Sequence, residues 1–338
     1  MVSPVRRYFL KIVSSANVHV ALKTMSITKL LTKIYYDPEN TASFSSVEKL
    51  YVAARQKKRK ITRKDVVEFL QKQEVYTLHH PVKERFKRRK TLAKYKDHIW
   101  QIDLIDMSQF SRINHGYKFI LTCIDILSRF GFAIPIRNKT GESVISAFQH
   151  IFSKFKRKPT KIHSDRGGEF TNHAFQQFLK QEKIIHYYSY SELKAAVVER
   201  FNRTLKSKLY KYFTYQKSNQ YVKVLPLIVL SYNNTTHSAH GTAPNDVTKR
   251  NQKKIWKILY EKYLKTKPGI PKFQVGNNVR ISKTRKQFQK GYLQRYTQEV
   301  FKIKQIKYSI PVTYQLKDSN DEIIEGFFYE PELIKVTE

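Results

Sequence analysis

The sequence predicts an α/β chain: a central mixed core, a helical module before it and a small all-β domain after it. Three observations carry that prediction. Between residues 98 and 250, three strand-like runs give way to alternating helical and strand-like runs. Before residue 81 the apolar residues recur at helical steps, and beyond residue 272 only short β-type segments occur. With 338 residues, 41% of them hydrophobic, including 21 Phe and 22 Tyr, the chain can fill two or three cores.

Residues 1–35 read as a basic extension with no acid before Asp37. That composition matches a mitochondrial transit peptide and equally a basic extension from a neighbouring coding segment. Residues 36–80 read as a helical, helix-turn-helix-like module. Ser45 and Ser46 precede Val47, Leu50, Tyr51 and Ala54, and a second helix starts at Thr62 with Val66, Val67 and Leu70 inward. A plain helical hairpin that only packs has the same pattern. Residues 81–97 are a basic linker, with Lys or Arg at most positions from Lys83 to Lys96. Such a segment suits contact with phosphates, and equally a solvated connector or a nuclear import signal.

The core spans residues 98–250. Trp100, Ile102 and Leu104 alternate with Gln101, Asp103 and Ile105, so the first strand carries Asp103 off its main apolar row. Tyr117–Ile126 and Phe130–Ile136 are the next strands, and Gly141–Phe155 is a helix. Lys161–Asp165 is a strand that ends on an acid and then breaks at Arg166, Gly167 and Gly168, which brings the acid to a sheet's rim. A helix over Thr171–Glu182 and a strand over Ile184–Tyr187 follow, then a polar aromatic stretch through Ser191. A long helix starts at Lys194 with Val198, Phe201, Leu205 and Leu209 as its buried stripe. Glu199, Asn202, Arg203 and Lys206 gather on a neighbouring polar face. Tyr221–Tyr232 is a further helix, broken near its start by Pro226. Three antiparallel strands followed by parallel strands flanked by helices is the order of an RNase H-like fold.

Residues 251–271 are a connecting helix and linker. Residues 272–338, with turns at Val275–Asn278 and Asp318–Asp321, predict a small SH3-like or chromo-like β-barrel. Its first long loop crowds Lys283, Arg285, Lys286 and Lys290, which suits contact with a nucleic-acid backbone.

Asp103, Asp165 and Glu199, drawn from two strands and a helix, can hold two divalent metals. Mg²⁺ or Mn²⁺ favours such carboxylates, and a metal pair stabilises both the attacking and the leaving oxygen of an in-line phosphoryl transfer. Three other acids read as structural: Asp106 on the opposite strand face, Asp125 as a strand terminator or partner of Arg129, and Glu169 in a glycine turn. No zinc site is expected. Cys123 is the only cysteine, His79 and His80 are adjacent in a linker, and His237 and His240 read as loop hydrogen-bonders.

The charge balance names the partner. Lys and Arg number 64 against 27 acids, a net +37, so a polyanion is expected, nucleic acid first and an anionic membrane surface second. No run of 18 apolar residues occurs, so no membrane span is expected. The single cysteine excludes an internal disulfide and fits a reducing compartment.

Trp100–Asp103 (WQID), His163–Phe170 (HSDRGGEF) and Lys194–Lys206 (KAAVVERFNRTLK), with roughly 33 residues between Asp165 and Glu199, resemble the D, D, about-35, E core of retroviral-type integrases. The resemblance is in particular to integrases of Maverick (Polinton) self-synthesising DNA transposons, and runs from about Tyr36 to the C-terminus. Asn233–Pro244 is similar to the motif that closes integrase cores. Two departures stand out: Glu192 and Leu193 replace smaller or more polar residues, and the amino-terminal His, His, Cys, Cys zinc set is missing.

The resemblance implies a metal-dependent DNA integrase that processes 3′ ends and transfers strands, with two Mg²⁺ or Mn²⁺ at Asp103, Asp165 and Glu199. Lys194, Asn202, Arg203 and Lys206 would lie along double-stranded DNA, and a dimer or tetramer would assemble on it. The nucleus is the expected location, with the mitochondrion or a viral particle as alternatives, and the barrel could contact chromatin. Two rivals are an RNase H-like nuclease that only hydrolyses and a domesticated, non-catalytic DNA-binding protein.

Overall fold

The computed structural model describes residues 27–58, 60–83, 86–188, 195–283 and 292–337. The chain divides into two compact units.

Among the described residues the first elements are four helices: residues 27–36 (α1), Val47–Lys57 (α2), Arg63–Lys72 (α3) and Glu74–His79 (α4). The expected boundary between extension and module, 35/36, runs through α1. The reason is apolar spacing beneath the basic charge: Leu31, Ile34 and Tyr35 are buried with Leu50, Ala54, Val66 and Leu70 in one core. Residues 1–26 lie outside the described residues. Thr62 caps α3 with a reciprocal pair of bonds, its hydroxyl accepting from Asp65 N–H and the Asp65 carboxylate accepting from Thr62 N–H. Ser46 stands at the N-cap of α2 without a side-chain cap bond.

The core unit comprises residues 88–269 with 308–311. In order it runs β1 (Ile99–Asp106), β2 (Phe119–Asp125), β3 (Gly131–Ile136), α5 (Gly141–Phe155), β4 (Lys161–Ser164), α6 (Gly168–Thr171), α7 (His173–Gln181), β5 (Ile185–Tyr188), α8 (Ala196–Gln216), α9 (Leu225–Asn234) and α10 (Gln252–Lys265). Its sheet has the order β3-β2-β1-β4-β5. β1 to β3 are antiparallel, and β4 and β5 run parallel to β1. This is the RNase H-like order. The helix expected over Thr171–Glu182 is divided at Asn172, whose side chain caps α7 by accepting from Phe175 N–H at 2.9 Å. Pro226 does not break a helix. It sits in the first turn of α9, where a missing N–H costs no intrahelical bond.

The strand alternation sorts the sheet into two faces. Trp100 and Ile102 join Leu121, Cys123 and Phe132 under α5 and α7, where Phe148 and Phe175 are fully buried. A Phe buried to that degree contributes about 2 kcal/mol. Ile105, Ile120 and Ile124 on the other face pack against Val198, Phe201, Leu205 and Leu209 of α8. Gln101 and Asp103 belong to this second face, beneath α8. The edge strand β3 is clasped by a side chain: Asn233 accepts from Gly131 N–H and donates to Gly131 C=O, both at 2.9 Å.

Asp125 ends β2 as expected but pairs with a different cation. Fully buried, it accepts from Leu127 and Ser128 N–H and lies 3.3 Å from Arg157, which also grips Asp97 at 2.6 Å. Burial, with Asp97 alongside, pushes the Asp125 pKa up to about 6. Arg129 makes only a backbone bond to Asp125.

The other unit joins the residues up to Lys87 with 270–307 and 312–338. Its sheet contains β6 (Asn278–Ile281), β7 (Phe301–Lys307), β8 (Thr313–Lys317), β9 (Phe328–Tyr329) and β10 (Leu333–Val336), all antiparallel in the order β10-β6-β7-β8-β9. The strands expected of a barrel are present as an open sheet, and no β9–β10 pairing occurs among the described residues. Within this unit, Leu78 C=O accepts from Arg295 and Tyr296 N–H at 2.8 and 3.2 Å, and Gln71 C=O accepts from Thr337 N–H at 3.1 Å. No helix among the described residues is long and apolar enough to cross a membrane.

Candidate active site

Parallel pairing of β1 with β4 matches Gln101 to His163. Two residues further along stand Asp103 and, one residue past the end of β4, Asp165. Period-two alternation therefore puts both acids on one face of adjacent strands at one level. Asp103 Oδ2 accepts from Asn202 Nδ2 at 2.9 Å, and its Oδ1 accepts from Leu104 N–H at 2.9 Å. Asp165 Oδ1 accepts from Gly167 N–H at 3.1 Å, which turns the chain out of the sheet.

The helix bearing Glu199 is fixed to this face by Gln101, only 1% exposed. Its Oε1 accepts from Val197 and Val198 N–H at 3.0 and 3.1 Å, two of the donors that a helix N-terminus leaves unpaired. That orientation makes Nε2 the donor to His163 Nδ1, 3.0 Å away, so His163 carries its proton on Nε2. His163 stacks on Tyr187 with ring centroids 4.7 Å apart. Burial pulls its pKa down to about 4, leaving it neutral, and pushes Tyr187 up to about 12.

A second set of bonds holds the backbone at Asp165. Gln176 Nε2 lies 2.9 Å from His186 Nδ1, His186 Nε2 lies 2.9 Å from the Ser164 hydroxyl, and that hydroxyl donates to Asp165 C=O at 2.6 Å. Gln176 Nε2 also donates to Phe170 C=O, so His186 Nδ1 accepts and its Nε2–H points to Ser164. His186 is likewise held near 4 by burial first and His163 second.

The acids of the predicted set are thus placed as follows. Asp103 and Asp165 share a face and a level, and Glu199 stands in the first turn of α8. Among the described residues no group of three or more His, Cys, Asp or Glu stands close enough to hold a metal ion, so Glu199 does not complete a three-acid cluster here. The donor chemistry still fits a hard divalent cation, because the set is all carboxylate and the neighbouring His163 Nδ1 is already engaged. Asn202, expected along DNA, instead holds Asp103 and is only 8% exposed. Arg203 and Lys206 are exposed on α8, and Lys283 is exposed beside β6. Lys194, Arg285, Lys286 and Lys290 lie outside the described residues, as do Ser189–Leu193 of the expected polar stretch.

Asp106 is exposed. Its pKa is held down by Ser108, whose N–H it accepts at 2.8 Å, with Lys139 and Lys206 assisting. The histidines after α9 are hydrogen-bonders: His237 Nδ1 accepts from Ala239 N–H within the loop, and His240 Nε2 meets Ser128 C=O in the β2–β3 turn. Sequence reasoning passes over Gln101, Ser164, Gln176 and His186. The signal for Gln101 is its place two residues before Asp103, a polar side chain on the same face of a strong strand.

The integrase core domain family matches residues 94–191. A transposon-derived protein of Caenorhabditis elegans is 37% identical over 195 residues, covering 58% of this chain and 65% of that protein. The Pol-related polyprotein of mouse intracisternal A-particle MIA14 is 32% identical over 117 residues, 33% of this chain and 13% of the polyprotein. The chain therefore spans less than two thirds of the length of either relative. Among solved structures, a chain of the simian T-cell lymphotropic virus intasome in complex with PP2A regulatory subunit B56 gamma has the same fold. Its TM-score is 0.58 at 17% identity, covering 85% of this chain and 95% of that one. Residues 94–191 of this chain thus match the integrase core domain, and the chain is similar to a transposon-derived protein and to a retroviral-type Pol-related polyprotein.

Proposed function

We propose that the protein is a metal-dependent DNA integrase that processes the 3′ ends of element DNA and joins them to target DNA. The observation that carries this reading is the shared face of Asp103 and Asp165 in an integrase core, with α8 and its Glu199 tied onto that face by Gln101 and Asn202. Two Mg²⁺ or Mn²⁺ ions, held by Asp103, Asp165 and Glu199, would supply Lewis-acid stabilisation of the attacking and leaving oxygens. Asn202 aims the Asp103 carboxylate, and the Gln176–His186–Ser164 chain holds the backbone from which Asp165 projects. His163, neutral and committed to Gln101, neither competes as a ligand nor adds charge. Arg203 and Lys206, exposed on α8, and Lys283 contact phosphates of double-stranded DNA, as do Lys194, Arg285, Lys286 and Lys290.

Both steps are in-line displacements at phosphorus that differ only in nucleophile, water first and a 3′-hydroxyl second, so one site serves both. Joining two ends to one target needs at least two active subunits, hence a dimer or tetramer on DNA. The quoted motifs support placing the protein with Maverick (Polinton) elements and its work in the nucleus. Contact of the C-terminal sheet with chromatin belongs to the same proposal.

The test is strand transfer of a labelled terminal-repeat duplex into plasmid with Mg²⁺ or Mn²⁺, comparing wild type with Glu199→Gln. Joined product that vanishes in the variant while DNA binding persists is the expected result. Cleavage without joining would replace the integrase reading with a nuclease, and tight binding without reaction would replace it with a non-catalytic DNA-binding protein.

A further inference from the structure

A second flank of α8, turned away from Glu199, walls a cleft of about 330 Å³. Arg200, Thr204 and Lys208 recur along it at four-residue steps, and Arg129 and the segment Thr235–Ser238 close the other side. Phe201 and Tyr232, with ring centroids 4.8 Å apart, give it an apolar wall.

Arg129 has the features of a binding residue. Its backbone is left-handed, with φ 62°. Its Nη1 is fully buried and has no hydrogen-bond partner among the described residues. A buried cationic donor without an acceptor is destabilising, so the group is placed for something that supplies an acceptor.

None of the described residues lining the cleft is acidic. The acid nearest to Arg129 in the chain, Asp125, is engaged with Arg157 and with Leu127 and Ser128 N–H. His237, whose Nδ1 already accepts from Ala239 N–H, can offer only an Nε2–H donor, and Lys208 Nζ reaches the rim, donating to Ser231 at 3.0 Å. Two guanidiniums, an ammonium, an imidazole N–H and the hydroxyls of Thr236 and Ser238 bring several hydrogen-bond donors around one small space. A tetrahedral phosphate, with oxygens facing in several directions, satisfies such a set, and a planar guanidinium can donate to two of its oxygens at once.

We propose that this cleft binds one phosphate group of a nucleic-acid backbone. The proposal rests on the reading of the chain as a DNA-binding protein, but not on its catalysis. The cleft lies on a flank of α8 distinct from that of Glu199, Arg203 and Lys206, so one helix would touch nucleic acid along two lines.

The experiment uses the full-length protein at constant ionic strength in chloride. Inorganic phosphate is titrated against it and followed by ³¹P line width and thermal midpoint, with wild type, Arg129→Gln and Arg200→Glu compared. Saturable broadening and stabilisation in the wild type, absent from both variants, is expected. Arg200 is exposed, so Arg200→Glu, checked by circular dichroism, keeps the test open if Arg129→Gln does not fold. A short duplex should displace the phosphate. In Arg200→Glu the slope of log affinity for duplex against log salt should shrink by about 1.

No saturable phosphate effect in the wild type, or one unchanged in Arg200→Glu, overturns the proposal. Phosphate that stays bound under saturating duplex overturns the backbone assignment in favour of a free phosphate. Failed strand transfer with phosphate binding intact would count against the catalytic function alone.

Discussion

Replacing Gln101 with Met keeps the volume of a buried side chain and removes three hydrogen bonds. Val197 and Val198 N–H lose the acceptor that caps α8, and His163 Nδ1 loses its donor. Loss of a helix cap costs about 1 kcal/mol, and each buried polar group left unpaired costs about 1–3 kcal/mol. Val197 is half-buried and recovers part of its bond from water, so the total comes to about 3 kcal/mol. For a domain of this size that is about 10 °C in thermal midpoint.

Gln101→Glu separates the contributions. Its carboxylate still accepts both N–H groups at the positive end of α8, so only the His163 bond is lost, about 1 kcal/mol. Both tryptophans, Trp100 and Trp256, lie in the core unit, so urea unfolding followed by tryptophan fluorescence at pH 7 reads this unit alone. A Met variant within about 0.5 kcal/mol of wild type, or a Glu variant as unstable as Met, would refute the view that Gln101 fastens α8 to the sheet.

Three further outcomes are expected. Asn202→Ala should lower strand transfer about 10- to 100-fold while DNA binding persists, because it frees the Asp103 carboxylate to turn; equal loss of binding would point to DNA contact instead. His163 and His186 sit near 4 in the folded chain against an ordinary 6.5, so between those values the unfolded chain binds protons that the folded one does not. Stability from this source is therefore complete above pH 6.5 and falls as the pH drops toward 4, by about 3 kcal/mol for His163 alone. Urea midpoints from pH 7.5 to 4.5, with NMR titration of the imidazole C–H signals, check this, and titration of His163 near 6.5 would contradict it. Arg157→Met should cost about 3–5 kcal/mol, since it leaves Asp97 and Asp125 facing each other without their cation; denaturant midpoints measure it.

Where the sequence could be read, local rules were enough. α5 spans Gly141–Phe155, as the helical spacing of Val144, Ala147, Phe148 and Ile151 predicts, because that apolar period lies within one segment. Strand alternation placed Asp103 off the apolar row, and the glycines after Asp165 marked the turn now fixed by its carboxylate. The failures share a cause, in that the deciding partner lies far along the chain. Asp125 reaches past the adjacent Arg129 to Arg157, which only the fold brings near. Asn202 sits at the border between the buried and polar faces of α8, and nothing in a helical projection says that Asp103 is waiting beneath it. At α1 the basic charge masked an apolar period that a packed partner makes decisive. The β character of the C-terminal residues was legible, but whether a sheet closes depends on pairings between its ends.

The helical module and the C-terminal sheet share one compact unit, although roughly 180 residues of core separate them in the chain. During synthesis at about 5–20 residues per second, helices α1 to α4 leave the ribosome some 10–40 s before the strands they join. In that interval Leu78 and Gln71 lack the N–H groups that their carbonyls accept in the finished protein, and the apolar residues around them have no sheet to cover them. Residues 88–269 can fold before the strands of the other unit emerge, while the helices, which share a core of their own, gain their contacts with the sheet last. Nascent-chain intermediates should therefore combine a protease-resistant core with a digestible amino-terminal module, which makes that module the natural point of chaperone engagement.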